Sequence, residues 1–404
     1  MPTDVDAILK LSREIATLSK QFEDGKTPQK LVQDALVSAA EQLAIATRDP
    51  DENMYHIASQ IAHNAAVRSV LSMGVLDEVP LDGSAISAED LASHLNINPE
   101  LVDRVLRACA STHFFTSPKT STYAHSALSR VYLSPDNRAL SAQMYDFTGQ
   151  GVLAIPAFGE SNGWQTAGDY YHGPFQLALS TDLGYWEYLA AHPERMKSFN
   201  TGMRVGKIGR RANAFPFGDV LELDPCKEDE VAIVDVGGGR GQSLETIRED
   251  WPLLKGRFVL QDLPGVIKDA EAKGVPEFIE TCPLSFFDKQ PVSGARIYYF
   301  RRIFHCWTNE KSRQILENTK EAMNEYSRVL IADMVLPDIN CPRDLAMQDL
   351  NMMSLGGMER SESDWRRLLE SAGLSMRKVW LNEDGPKHAI VEAVLPGFKG
   401  HHLG

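Results

Sequence analysis

The chain has 404 residues, 43% hydrophobic and 24% charged, a composition that excludes a disordered chain or a small disulfide scaffold and predicts two or three domains. Lys+Arg 41 against Asp+Glu 55 gives a net charge of −14, so the surface as a whole repels phosphate backbones and anionic lipid headgroups, and neither nucleic acid nor membrane is expected as a partner. No apolar run reaches the ~20 residues of a bilayer span. The N-terminus, MPTDVDAILK, lacks a signal-peptide pattern, and Cys109, Cys226, Cys282, Cys306 and Cys341 are odd in number and scattered. They read as reduced thiols of a cytoplasmic protein without metal-ligand spacing.

From about residue 5 to 75 apolar residues recur at helical spacing, as in Ile8, Leu11, Ile15, Leu18 and Leu31, Ala35, Leu36, Ala39. TRDPDEN is a polar break, and MYHIASQIAHNAAVRSVLSMGVLDEVP is too apolar for a solvated helix, so it must pack on this chain or on a second copy. Ser87-Ala88-Glu89-Asp90 then supplies a serine cap with an acid three residues on, opening the helix AEDLASHL. A second helix begins at Pro99, and FFTSPKTSTYAHS follows as a two-stranded wing. This winged-helix pattern is a poor DNA reader, since Arg104 and Arg107 stand beside Glu100 and Asp103. Residues 135–215 read as helices and loops rich in aromatics (Tyr145, Phe147, Trp164, Tyr170, Tyr171, Phe175, Tyr185, Trp186, Phe199), ending in GMRVGKIGRR. Most of these rings are core, while some are expected to line a pocket for a flat apolar substrate. The segmentation is a helical winged-helix unit over 1–134, a substrate-binding and linker region over 135–215 and an α/β domain over 216–398.

That last domain opens on Val231-Ala232-Ile233-Val234-Asp235-Val236, an apolar run of the kind buried in a parallel sheet. Gly237-Gly238-Gly239-Arg240-Gly241 follows at once, then the helix QSLETIRED. Glycines let the backbone approach a ligand at a helix N-terminus where a Cβ would intrude. The next strand, RFVLQD, ends in Asp262, 23 residues after Gly239, close to the spacing at which a carboxylate meets ribose hydroxyls. The glycine spacing departs from G-x-G-x-x-G and no P-loop lysine is present, so an adenosine without phosphates fits better than a dinucleotide. S-Adenosyl-L-methionine is such a ligand.

VDVGGGRG, QDLPGVI, RRIFHCW with TNEKSRQIL, IADMVLPD and NMMSLGGMERSESDWRRLLESAGL stand in an order that resembles the class I S-adenosylmethionine-dependent O-methyltransferases of the plant caffeate/flavonoid type and their fungal secondary-metabolism relatives. The resemblance covers nearly the whole chain. It implies a doubly wound Rossmann-like C-terminal domain, an N-terminal winged-helix dimerisation domain and a homodimer. It implies that Gly237, Gly238 and Gly239 approach the methionine moiety, that Asp262 accepts from the ribose, that Ser285 and Phe286 flank the adenine and that Arg301 touches the cofactor. It also makes His305 the general base, with Asp333 and Glu359 bracing it. The chemistry suits those residue types, because a phenol of pKa ~10 is protonated at neutral pH and a neutral imidazole can take its proton.

The sequence departs from the family at two positions. Cys306 follows the histidine where an aspartate is usual, and Ser285 stands in place of another aspartate. The reading is methyl transfer to a phenolic or enolic hydroxyl of an aromatic or polyketide-type metabolite. The alternative keeps the cofactor and runs non-methylating, pericyclic or dehydrative chemistry. Gly400-His401-His402 reads as a solvated tail rather than a metal site, and no metal is expected.

Overall fold

A computed structural model describes residues 5–25, 27, 29–166, 169–203, 215–224, 226–382 and 385–401. Residues 204–211 of the Gly/Arg-rich stretch, and His402, lie outside the described residues. The chain divides into two compact units, Met1–Tyr145 with Lys197–Val205, and Asp146–Met196 with Gly206–Gly404.

The first unit begins with helices α1 (Val5–Asp24), α2 (Gln29–Thr47), α3 (Pro50–Ala58), α4 (Gln60–Met73) and α5 (Val75–Glu78). The expected polar break is shorter than TRDPDEN. Asp49 caps α3 by accepting from Asp51 N (2.9 Å), and Pro50 opens the helix, so most of the segment is helical. Ser87 caps α6 (Ala88–Leu95), accepting from Asp90 N at 3.0 Å, and Asn96 ends it with a left-handed φ of 54°. Asn98 caps α7 (Pro99–Ser111) by accepting from Leu101 N (3.1 Å). The wing gains a third strand, with β1 (Ile86–Ser87) and β2 (Phe115–Thr116) both antiparallel to β3 (Thr122–His125). Val70, Leu91, Val102, Leu106, Phe114 and Phe115 fill the core beneath it. On α7, Arg107 pairs with Asp103 and Arg104 with Glu100, so its cations are engaged along their own helix.

The second unit is built on a seven-stranded sheet. Its strands are β4 (Val231–Val236), β5 (Arg257–Asp262), β6 (Ile279–Pro283), β7 (Ile297–Arg301) and β8 (Arg328–Asp333). A two-residue parallel pair, β9 (Val335–Leu336) and β10 (Arg360–Ser361), lies apart from it, and β11 (Ser375–Asn382) and β12 (Gly385–Val394) complete it. The order β11-β12-β8-β7-β4-β5-β6 puts β4 between β5 and β7, all parallel, with β12 antiparallel to β8. Strand order reverses at β4, so a crevice opens beyond its carboxyl end, where ligands of open α/β sheets sit. Apolar rows on the sheet's two faces, Val234, Tyr298, Phe300, Ile331 and Val391 on one and Ile233, Phe258, Leu260, Tyr299 and Leu330 on the other, pack against helices and fix the strand ends in place. Among the described residues no helix is long and apolar enough to cross a membrane.

The C-terminal tail, expected to be solvated, keeps the His401 side chain exposed but is docked onto the sheet domain. His401 N and Nδ1 both reach Asp224 (2.9 Å to Oδ2 and 2.7 Å to Oδ1), and Arg328 Nη2 donates to His401 O at 2.6 Å. A buried arginine with two buried acids, Asp224 and Glu392, gives the tail a docking point that no local pattern encodes.

Candidate active site

Glycines make the first wall of the crevice. Gly237, Gly239 and Gly241 hold φ of 73°, 63° and 86°, a left-handed region that L side chains rarely adopt. A Cβ on Gly237 would stand 2.6 Å from Ile303 Cδ1, and one on Gly238 would stand 2.4 Å from Asp235 Oδ2. The loop thus rests directly on the side chains behind it and turns its backbone outward, ahead of the helix Gln242–Asp250. Asp262, at the end of β5, accepts from Gly239 N through Oδ2 (2.9 Å) and from Leu263 N through Oδ1 (2.7 Å). Burial raises its pKa, against these two backbone donors. Ser285 Oγ accepts from Phe287 N at 3.3 Å and keeps its own proton to donate, and Phe286 Cε1 lies 3.6 Å from the Cβ position of Gly237. Arg301 ends β7, where its charge acts on Asp235; burial pushes that carboxyl up to about 7. Bare backbone beside a carboxylate and an aromatic ring is a fitting cradle for an adenosine with an amino-acid tail. Asp262→Ala is expected to weaken S-adenosylmethionine binding about 100-fold, the size of one or two charge-assisted hydrogen bonds, as read by calorimetry. An unchanged Kd would remove Asp262 from the cofactor site.

The second wall follows β7. Arg302 takes a left-handed φ of 54°, and the turn Phe304–Cys306 carries His305. His305 Nδ1 lies 3.0 Å from Glu359 Oε1. Asp333, at the end of β8, accepts from Phe304 N through Oδ2 (3.1 Å), so it grips the backbone of the turn, and its charge acts on the imidazole across space. Both acids are buried. Burial works to lower the pKa of His305, but the Cys306 and Asp333 charges and hydrogen bonds with Cys306 and Glu359 outweigh it and leave the imidazole well above its ordinary value. Burial pushes Asp333 up to about 6 against the pull of His305.

Three contributors escaped the sequence reading. Arg360, fully buried, donates to Phe304 O (2.9 Å), Trp307 O (2.8 Å), Asn309 Oδ1 (2.9 Å) and Ser312 Oγ (3.0 Å), clamping the backbone on both sides of His305. Burial lowers it to about 10, which leaves it a cation at neutral pH. Asp349 Oδ1 accepts from Glu359 N (2.9 Å) and so fixes the acid that holds the histidine. Gly357 lies against the turn, because a Cβ there would fall 2.1 Å from His305 O and 3.1 Å from Cys306 Cα. Only the "GGMER" cluster hinted at these roles. Gly357→Ala is expected to push the histidine aside and lower kcat about 100-fold with cofactor affinity nearly unchanged. Steady-state kinetics beside calorimetry checks this, and an unaltered kcat would show that the turn yields freely.

Aromatic rings join the two walls. Phe287 and Trp307 lie 4.8 Å apart at 89°, and Trp307 meets Tyr170 at 5.0 Å. Tyr170, from the segment before the sheet, accepts from Trp186 N through its hydroxyl (2.6 Å). Of the aromatics between 135 and 215, Tyr170 is therefore placed beside the histidine turn, while Phe147, Phe175, Tyr185 and Tyr188 pack edge to face with one another.

A glycine cradle ending in a ribose-spaced acid, next to an acid-held histidine at the ends of the parallel strands, defines a small-molecule group-transfer site on an open α/β sheet. The chain belongs to the O-methyltransferase family: the O-methyltransferase domain matches residues 172–375 and the O-methyltransferase dimerisation domain matches 55–135. It is an S-adenosylmethionine-dependent O-methyltransferase. It is 61% identical to O-methyltransferase GME11366 of Pestalotiopsis microspora over 100% of both chains. It is also 31% identical to a demethylsterigmatocystin 6-O-methyltransferase of Aspergillus flavus over 82% of this chain and 84% of that one. Among solved structures, OxaC in complex with SAH and oxaline is similar at a TM-score of 0.84 and 30% identity, covering 96% of this chain and 99% of that one. A pericyclic reaction enzyme is similar at 0.83 and 27%, covering 96% and 100%.

Proposed function

We propose that the protein methylates a phenolic or enolic hydroxyl of an aromatic or polyketide-type secondary metabolite, with His305 as general base, and that it works as a homodimer. The observation that carries the reaction is the Nδ1 contact of His305 with Glu359 at 3.0 Å, at the strand end next to the glycine cradle. Glu359, accepting the Nδ1 proton, leaves the lone pair on Nε2, the atom that takes the hydroxyl proton of the acceptor. Negative charge on Asp333 and Glu359 then stabilises the imidazolium. Bound S-adenosylmethionine supplies an electrophilic methyl group on a positively charged sulfur. Gly237, Gly238 and Gly239 with Asp262 would hold it, Ser285 and Phe286 would sit at its adenine, and Arg301 would also touch it. Tyr170 and Trp307 offer flat faces to an aromatic acceptor and exclude water from the histidine.

Two relatives support an oxygen nucleophile on such a scaffold, one named for a 6-O-methylation and one holding oxaline beside SAH. The alternative, non-methylating chemistry, is favoured by two departures, Ser285 and Cys306 where the family carries acids, and by the likeness to a pericyclic reaction enzyme. Calorimetric titration with S-adenosylmethionine, followed by incubation with a panel of phenols and enols, separates the two. Stoichiometric S-adenosylhomocysteine with an O-methylated product is the expected result. An acceptor rearranged or dehydrated while the cofactor stays intact would overturn methylation.

A further inference from the structure

Three arginines meet where β7 runs into the His305 turn, and two of them are engaged. Arg360 clamps the backbone of the turn, and Arg301 ends β7 with its charge on Asp235. Arg302 differs. Among the described residues its guanidinium makes no hydrogen bond and no ion pair, although Asp333 and Glu359 are near enough for their charges to act on it. Those acids are occupied elsewhere, Asp333 with Phe304 N and Glu359 with Nδ1 of His305.

The backbone holds this unpartnered cation in place. Arg302 N donates to Ala332 O at 3.1 Å, which pins the residue between β7 and β8 in its left-handed conformation. That conformation costs free energy in any residue with a Cβ and persists only where the surrounding structure enforces it. The side chain is open to solvent, yet burial by the protein around it, with Arg301 beside it, lowers its pKa, which is the condition of a cation on the wall of a crevice rather than on a convex surface. Position 306 is within electrostatic reach of it. With cysteine there in place of the usual aspartate, the carboxylate that would occupy a neighbouring guanidinium and repel an anion is missing.

We propose that Arg302 is an anion-binding residue that sets acceptor choice: the acceptor bears a carboxylate on the carbon next to the one carrying the reacting hydroxyl, and the guanidinium takes that carboxylate while His305 faces the hydroxyl. The planar fork of an arginine matches a carboxylate with two parallel donors. A hydroxyl flanked by a carboxylate shares its proton with it, so drawing the carboxylate onto Arg302 frees that proton for the imidazole, and a histidine of raised basicity suits such an acceptor. The carboxylate itself is unchanged: the proton passes to Nε2, the oxygen gains the methyl group, and S-adenosylhomocysteine remains. This rests on the methyl-transfer reading above and narrows its acceptor class.

Calorimetry on the full chain saturated with S-adenosylhomocysteine tests it, with 3-hydroxy-2-naphthoate and its methyl ester as probes that share a shape and differ in charge. Wild type is expected to hold the acid about 30-fold more tightly than the ester, the size of a charge-assisted pair. Arg302→Met should bring the acid to the level of the ester and leave the affinities for the ester and for S-adenosylhomocysteine where they were, while Arg302→Lys, with the charge but not the fork, should keep part of the preference. Acid and ester held alike, neither held, or a preference that survives in Arg302→Met would each overturn the proposal. Turnover with S-adenosylmethionine separates it from the reading beneath it. Phenols methylated without regard to a neighbouring carboxylate would overturn the role of Arg302 alone, whereas an acid preference abolished in Arg302→Met, with no S-adenosylhomocysteine formed from any acceptor, would support the anion site and count against methyl transfer.

Discussion

Replacing His305 by alanine is expected to lower kcat about 1,000-fold, in the middle of the range for a lost general base, with S-adenosylmethionine affinity unchanged. Affinity would survive because the glycine cradle and Asp262, proposed to hold the cofactor, lie at the ends of β4 and β5, whereas the histidine follows β7. The variant should recover most on acceptors acidic enough to be ionised without help. With His305 as the proposed base, the active form is the neutral imidazole, and Cys306, Asp333 and Glu359 outweigh burial and hold its pKa above the ordinary 6.5. The rate therefore falls as pH drops through a limb centred above 6.5 and levels out on the alkaline side. Glu359→Gln removes a partner that favours the charged ring, so the limb should move to lower pH while kcat falls with the loosened ring. A limb that stays in place both in Glu359→Gln and in Asp333→Asn would show that His305 is not the titrating base.

The second large effect lies at the other end of the same sheet. Arg328, 1% exposed at the start of β8, donates through Nε to Glu392 (3.1 Å) and through Nη2 to Asp224 (2.9 Å) and His401 O, with Phe398 stacked 4.6 Å from its guanidinium carbon. Arg328→Leu would take the cation from two buried carboxylates, leaving Asp224 only its His401 donors and Glu392 only Trp380 Nε1, a loss of about 3–5 kcal/mol, or roughly 10 °C in the midpoint of thermal unfolding for a unit of this size. Adding Asp224→Asn should restore part of it. Burial pushes the Asp224 carboxyl up, but the His401 and Arg328 hydrogen bonds hold it below the usual range. Its contribution is therefore complete above the ordinary carboxylate pKa of about 4 and is lost as pH falls through the lower folded value, so the gap between wild type and variant should close in acid. Since the substitution is remote from the carboxyl ends of the strands, kcat well below the midpoint should hold. A midpoint within 2 °C of wild type would refute the account, as would a loss of activity in the folded variant.

What the chain discloses without coordinates follows from how local each requirement is. Positive φ at Gly237, Gly239 and Gly241, and the acid that closes β5, are demands of adjacent backbone, so residue identity alone carries them. Caps such as Ser87 and Asn98 are equally local. Arg360 and Arg328 were illegible for the opposite reason. Nothing in its local sequence marks either as buried, and each is enclosed by partners distant in sequence, Phe304 and Trp307 for one and Asp224 and His401 for the other. The docking of His401 was hidden in the same way, since its side chain stays exposed and its partner lies 177 residues earlier. The aromatics before the sheet were ambiguous on the same ground: Tyr170 and Phe175 are alike in pattern, yet one ring meets Trp307 and the other meets Tyr185 and Tyr188.

A histidine whose basicity is raised by Cys306, Asp333 and Glu359 is a strong taker of protons and a reluctant giver. With His305 as the base proposed above, each methylation would leave one proton on the imidazole, and the ring would serve again only after passing it on. The surroundings that ready the acceptor oxygen would thus tie every new turnover to the discharge of the proton taken in the last one.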